Sequence, residues 1–395
     1  MGKKNKIILI PRLNNPGGIA NYYSVMRAYL DKDIIYIYRG KNKVVNRLYR
    51  MLLDFLNYQK HIYKIENQGT VLFNSSLGYG GLIRDGLYML LTPAKIRKVV
   101  FFRGWDPSTE AKIDNSKFIR KWVANTFLKA DHVIVLSEKY YTKLREWGYK
   151  KTISIESTVV DEDIEKGFAN EKYDHEKVQL NGLKILYLGR IVRAKGVWEI
   201  VKTMKYLRNK VNDINVELTI AGDGKERESL EKYTVFNGLN VRFTGNVCAE
   251  YKKAVFRNAH IYVFPSNHGE GMPNSVLEAM AFGLPVITTQ VGGLSDFFED
   301  CKMGLIIDSR EPEHIAEKIR YLCDRPYLMK QISEYNYKYA MRHFYSSRVA
   351  MRLSQIIRDV SEGRACDTQW WSDEQWGNEG KGRGIERSPM ECAKN

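Results

Sequence analysis

Two carboxylates, Glu270 and Glu278, stand eight positions apart in HIYVFPSNHGEGMPNSVLEAMAFG, residues 260–283. Val276 to Phe282 can form a helix, and Glu278 falls about one turn into it, where a carboxylate can accept two hydroxyl hydrogen bonds from a ribose. Glu270 falls in the loop before, where its charge would repel a phosphate unless it faced another part of the ligand. Taken singly, Glu270 reads equally well as a solvated loop residue and Glu278 as a complement to the helix dipole. A second pair, Arg190 and Lys195, sits in GRIVRAKG, residues 189–196. Arg190 leaves the end of a strand and Lys195 enters a helix, so both cations can converge on one point over a short loop. An exposed basic turn would look similar.

These residues need a particular scaffold. Ile261 to Phe264 is an apolar strand stopped by Pro265. The loop to Pro273 is too rich in Gly, Asn and Pro for a helix, and Asn274 or Ser275 is placed as N-cap of the next one. Strand, glycine loop and helix start point backbone N–H groups and a positive dipole end at one spot, which suits a phosphate. The same unit opens the chain, with a strand at Lys6–Ile10, a loop containing Gly17 and Gly18, and a helix at Ile19–Leu30. Further strands are expected at 34–38, 71–73, 99–102, 133–136, 151–155, 183–188, 216–220, 240–244 and 285–288. Intervening helices fall at about 41–58, 79–91, 115–129, 138–147 and on to 207, and three more at 311–323, 326–342 and 346–360. That alternation predicts α/β domains with parallel sheets. At 395 residues the chain exceeds what one core usually serves.

The block EGMPNSVLEAMAFGLPVI, with its Glu270 to Glu278 spacing, resembles the signature of the family 4 retaining glycosyltransferases, and GR-x4-KG resembles that family's diphosphate-binding pair. The resemblance covers residues 6–360. It implies the GT-B fold: two Rossmann-like domains with parallel sheets facing across a cleft, here 1–165 for the acceptor and 182–345 for a nucleotide sugar. Residues 166–181 are then a linker, 346–361 a helix crossing back to the first domain, and 362–395, poor in aliphatic residues, a disordered tail. It implies that Arg190 and Lys195 grip the diphosphate and Gly17 and Gly18 close its other side. Glu278 takes the ribose, the loops at Gly222 and Val247 meet the nucleotide, and Glu270 with the backbone of Gly271, Met272, Pro273 and Asn274 orients the sugar. Transfer with retention then needs no covalent nucleophile, no metal and no cofactor beyond a UDP- or GDP-linked donor. Asp161-Glu162-Asp163 spells the DxD of metal-dependent transferases, but it lies at the linker.

The strand at 98–102 ends in Arg103-Gly104-Trp105-Asp106, which brings Arg103 and Asp106 to the carboxyl edge of the first sheet, where open α/β sheets bind ligands. Arg103 stands where many relatives have histidine, so no catalytic base is carried over. The pair is expected to bind acceptor or donor hydroxyls, or to form a salt bridge. Residues 1–160 hold 28 Lys and Arg against 12 Asp and Glu, and the rest balance at 34 each, so the net +16 belongs to the first part. Such asymmetry points to a polyanionic partner. Basic and apolar residues share the helix near 41–58, as on a membrane-surface helix. No apolar run spans a membrane and none reads as a secretory signal. The expectation is a cytoplasmic protein, peripheral on the inner membrane face, with a lipid-linked saccharide acceptor of surface polysaccharide synthesis; a soluble glucan or small molecule is the alternative. Neither inspected βα loop carries the GxGxxG of a dehydrogenase, and no zinc-finger or RNP-like pattern supports nucleic acid. The five cysteines, widely spaced, indicate neither a disulfide framework nor a zinc site and are expected reduced.

Overall fold

The β-branched and aromatic runs form strands that pair in parallel and lie buried on both faces, as parallel strands require. The computed structural model describes all residues except 1–5, 14–17, 41–45, 66–68, 165–181, 211–214, 268, 270, 367 and 372–395. They fall into two units, one built from Met1–Val159, Gly269–Met272 and Ser346–Asp373, the other from Val160–His268 and Pro273–Tyr345.

In the first unit six strands, β1 (Lys6–Pro11), β2 (Ile34–Arg39), β3 (Thr70–Leu77), β4 (Arg97–Trp105), β5 (His132–Val135) and β6 (Thr152–Ile155), form one sheet in the order β2-β1-β3-β4-β5-β6. The order reverses between β1 and β3, the crevice position of an open α/β sheet. Between the strands run α1 (Gly18–Met26), α2 (Arg47–Ile62), α3 (Tyr79–Leu90), α4 (Pro107–Asn115), α5 (Lys117–Asn125) and α6 (Glu138–Glu146). Phe73, Val100, Phe102, Val133 and Val135 fill the core on one sheet face.

The second sheet repeats the plan with β7 (Leu183–Leu188), β8 (Val216–Ala221), β9 (Val241–Gly245), β10 (Ile261–Phe264), β11 (Val286–Thr288) and β12 (Gly304–Ile306), in the order β12-β11-β10-β7-β8-β9. That is the dinucleotide-fold order, with its switch point between β7 and β10. Its helices are α7 (Val197–Lys210), α8 (Arg227–Phe236), α9 (Ala249–Arg257), α10 (Asn274–Ala281), α11 (Pro312–Cys323) and α12 (Pro326–His343). The last helix, α13 (Ser346–Glu362), belongs to the first unit, where Arg352 Nε and Nη2 reach the Glu156 carboxylate at 3.1 Å.

Several expectations need correction. The helix read at 115–129 is α5, capped by Ser116 and followed by a 3-10 turn at Phe127–Lys129, and α4 before it, capped by Asp106, was not anticipated. The short strand β12 was not anticipated, since three residues carry no period. Helix α2 ends four residues later than expected, and the proposed linker 166–181 lies outside the described residues. The tail is not disordered from 362 onward: Ile155 N–H donates to Thr368 O at 2.8 Å, Trp370 N–H donates back to Ile155 O at 3.3 Å, and Trp370 is 1% exposed. The physical reason is that β6 is an edge strand whose open backbone groups accept a partner, which a tail poor in aliphatic residues can still supply. Cys248, Cys323 and Cys366 are free, but Cys301 is disulfide-bonded, against the all-reduced expectation; spacing along a chain does not say which thiols meet.

Candidate functional site

All six strands of the second sheet run the same way, so the loops after β7, β8, β9 and β10 crowd one carboxyl edge. They are knitted through backbone. Gly189 N–H donates to Ala221 O at 2.9 Å, Ile191 N–H to Asp223 O at 2.9 Å, Gly222 N–H to Gly245 O at 2.8 Å and Asn267 N–H to Ala194 O at 3.1 Å. Two glycines make this closeness possible. Gly196 has φ +75°, and a Cβ there would lie 2.1 Å from Pro265 O; Gly222 has φ +137°, and its Cβ would lie 2.0 Å from Gly189 O. Both positions exclude any side chain.

On this platform Arg190 leaves β7 exposed to solvent, while Lys195, at the end of a 3-10 turn, is 8% exposed with Nζ 5.6 Å from the Phe264 ring centroid. Beside them begins α10. The Tyr262 hydroxyl lies 3.0 Å from Leu188 O and 2.7 Å from Ser275 Oγ, so one phenol ties the end of β7 to the first turn of α10. Burial, foremost, keeps that phenol protonated far above its ordinary range. The N-cap is Pro273, not Asn274 or Ser275, and no side chain caps the helix. This corrects the capping expectation; Val276 N–H donates to Pro273 O at 3.1 Å, which leaves the Asn274 and Ser275 N–H groups at the helix start to meet an anion.

Glu278 lies one turn along, 8% exposed, and its Oε1 accepts from Lys252 Nζ of α9 at 2.6 Å. Lys252 was missed in the sequence; it lies 26 residues away on another helix, and no local pattern links the two. Gly222 and Val247 stand on the neighbouring loops of the same edge, Val247 half-buried. Met272 is 6% exposed and Gly271 half-buried. Glu270 and Gly17 lie outside the described residues.

In the first unit Gly18 is the exposed first residue of α1. Arg103 emerges from β4 with its guanidinium 3.7 Å from the Tyr22 ring centroid and 4.4 Å from that of Phe101, and burial pushes the Tyr22 phenol up to about 12. Asp106 is occupied locally. Its Oδ2 accepts from Thr109 Oγ1 at 2.6 Å, Ser108 Oγ at 2.7 Å and Thr109 N–H at 3.2 Å, and its Oδ1 from Ser108 N–H at 3.3 Å. Hydrogen bonds from Thr109 and Ser108 hold its carboxyl below the ordinary range. Asp106 thus caps α4, a role the sequence reading did not give it, and a carboxylate with four local donors has little capacity left for a further partner.

Two cations, an uncapped helix start and a buried carboxylate on one sheet edge can hold a diphosphate and a ribose together. Residues 170–339 match the family model described as glycosyl transferases group 1. Over this stretch the chain is similar to that family. The matched stretch spans the Arg190 loop, α9 and α10. Curated proteins similar to the chain include the D-inositol 3-phosphate glycosyltransferase of Paenarthrobacter aurescens, 29% identical over 60% of this chain and 58% of the relative. Another is the capsular polysaccharide biosynthesis glycosyltransferase CapM of Staphylococcus aureus, 28% identical over 60% of this chain and 64% of the relative. The chain thus spans less than two thirds of these relatives. Among solved structures, Anabaena HepE in complex with UDP superposes with a TM-score of 0.67 at 14% identity, covering 90% of this chain and 100% of that one. Sucrose-phosphate synthase from Thermosynechococcus elongatus gives 0.66 at 16% identity, covering 91% and 100%. The likeness establishes the GT-B fold with its two Rossmann-like domains.

Proposed function

We propose that the protein is a retaining glycosyltransferase that moves a hexose-type sugar from a UDP- or GDP-linked donor to a lipid-linked saccharide acceptor in surface polysaccharide synthesis. The observation that carries the reading is the Tyr262 tie, which sets the uncapped start of α10 beside the loop of Arg190 and Lys195, with Glu278 one turn along. Solved neighbours hold UDP and UDP-glucose, and one relative is named for capsular polysaccharide biosynthesis, which supports the donor class and the acceptor class respectively.

In this reading the Arg190 and Lys195 cations stabilise the diphosphate as it leaves, and α10 adds its first-turn N–H groups. Glu278 accepts from the ribose hydroxyls, with Lys252 holding its carboxylate in place. Glu270 and the Gly271 to Asn274 backbone orient the sugar, and Gly17 and Gly18 also serve the diphosphate. Attack comes from the face the diphosphate leaves, through an oxocarbenium-like state, and a diphosphate oxygen helps take the acceptor proton. Arg103 meets the acceptor, while Asp106 holds the α4 end of that loop. We place the work peripherally, at the inner face; among the described residues no helix is long and apolar enough to cross a membrane.

The test is thermal stability with UDP, GDP and ADP at matched concentrations, on the native chain and on Arg190→Ala. A ligand at a hundredfold excess over Kd adds about 2.7 kcal/mol. A shift with one nucleotide, lost in the variant, supports the site. No shift with any of them, together with no hydrolysis of a panel of UDP- and GDP-sugars, would sink the reading.

A further inference from the structure

Three helices of the first unit carry a surface that donor chemistry leaves unused. α2, α3 and α5 lie side by side, with the Tyr58 ring edge-on to Tyr88 at 5.0 Å and the Trp122 indole N–H donating to Leu82 O at 3.1 Å. Their inner sides enter the core, and their outer sides are apolar too. On α2, Tyr49, Leu52, Leu53 and Leu56 follow the i, i+3, i+4, i+7 spacing of one helix side, and Leu56 is 54% exposed. On α3, Ile83, Leu87 and Leu90 stand at i, i+4 and i+7 with Leu91 following at the C-cap, Leu87 is 47% exposed, and α5 adds Phe118 at 89%. An outer helix face normally carries polar residues. Single exposed leucines need no explanation, but a run shared by three adjacent helices does.

The charges on these helices are sorted. Their only acidic residues are Asp54 and Asp85, and both are buried. Asp54 accepts from Gly40 N–H at 2.8 Å and pairs with Arg12 at 3.5 Å, while Asp85 is held by Arg39 at 2.5 Å and Arg84 at 2.7 Å. Lys60, Lys117 and Lys121 are exposed at the surface and Arg50 is partly so. The face offers water leucine, phenylalanine and cations, with no exposed carboxylate of its own helices.

We infer that this three-helix face docks the protein on a bilayer containing anionic lipid, the leucines and Phe118 entering the headgroup boundary and the lysines meeting lipid phosphates. A soluble polyanion would satisfy the cations and leave the leucines wet. A second copy of the chain would cover the leucines but bring like charges together. The inference rests on the proposed function for its purpose, which is to meet a lipid-linked acceptor where it resides.

Flotation tests it, using vesicles of phosphatidylcholine alone and of phosphatidylcholine with 30% phosphatidylglycerol (a chosen ratio of about one anionic lipid in three). The native chain is expected to float with the anionic vesicles only, less so at high salt. Leu52→Asp with Leu87→Asp, and separately Lys117→Glu with Lys121→Glu, are expected to lower bound protein about tenfold while the nucleotide-induced thermal shift stays unchanged. Undiminished flotation of both variants, or no flotation of the native chain, overturns the inference. So does a native dimer in light scattering that the leucine variant converts to monomer without any vesicle binding. Vesicle binding with neither a nucleotide shift nor sugar-nucleotide hydrolysis would sink the donor reading and leave this surface standing.

Discussion

At the scale of single residues, the candidate site depends on groups whose charge has a partner. Glu278 is buried and reaches Lys252 at 2.6 Å, so replacing it removes a charged acceptor without opening a cavity. Glu278→Gln is expected to weaken nucleotide binding roughly 10- to 100-fold, the worth of hydrogen bonds to a charged group, while the melting temperature of the nucleotide-free protein moves only a little. Calorimetric titration with the nucleotide that binds decides this; unchanged affinity would remove Glu278 from the ribose. Because Arg190 and Lys195 take the place of a divalent ion in the proposal, EDTA is expected to leave the transfer rate within about twofold. A rate abolished by EDTA and restored by magnesium or manganese would show that the two cations do not suffice. Arg190, Lys195 and Glu278 were all legible in the sequence, since each lies in a short block whose spacing has a physical meaning. Lys252 was not, because a partner on another helix leaves no trace in spacing.

Whole elements were legible to different degrees for equally physical reasons. Long apolar strands such as β7 and helices with a clear period, α12 among them, declare themselves. A boundary set by one polar side chain does not: Asp106 and Ser116 split the region after β4 into α4 and α5, and each serine or aspartate in a sequence could equally be a solvated residue. The cap role is checkable. Asp106→Ala is expected to cost about 1 kcal/mol, the usual worth of an N-cap, read as a shift in the denaturant midpoint. Asp106→Asn should recover most of it, since an amide oxygen can still accept from Ser108 and Thr109. A loss of transfer activity in Asp106→Asn at unchanged stability would return the residue to the acceptor.

At the scale of the molecule, each unit holds a histidine that prefers to be neutral, His132 buried and His260 half-buried. Burial holds the His132 imidazole down at about 4, only partly offset by Asp359, and its two nitrogens meet Thr152 Oγ1 at 2.8 Å and Ser154 Oγ at 3.0 Å. His260 is also pushed down to about 4, by burial first and then by Lys184, and its Nδ1 accepts the Lys184 N–H at 3.1 Å. In the unfolded chain both titrate near 6.5. Folding therefore excludes protons: stability is fully present above about pH 6.5 and declines as pH falls towards 4, with His132 accounting for up to roughly 3 kcal/mol at the acid end. Denaturant melts from pH 7 to 4.5 should show this slope, and His132→Gln should flatten it. A slope untouched by the substitution would assign the acid sensitivity elsewhere. Trp370 adds a second lever on stability, for Trp370→Ala is expected to cost about 3 kcal/mol or more although it lies far along the chain from every motif. That same segment sets an order of events during synthesis. Residues 346–371 complete a sheet whose last strand, β6, is made some two hundred residues earlier. At about 5–20 residues per second, a ribosome holds the first unit without its final helix and edge partner for about 10–40 s, while the whole second unit is made and can fold.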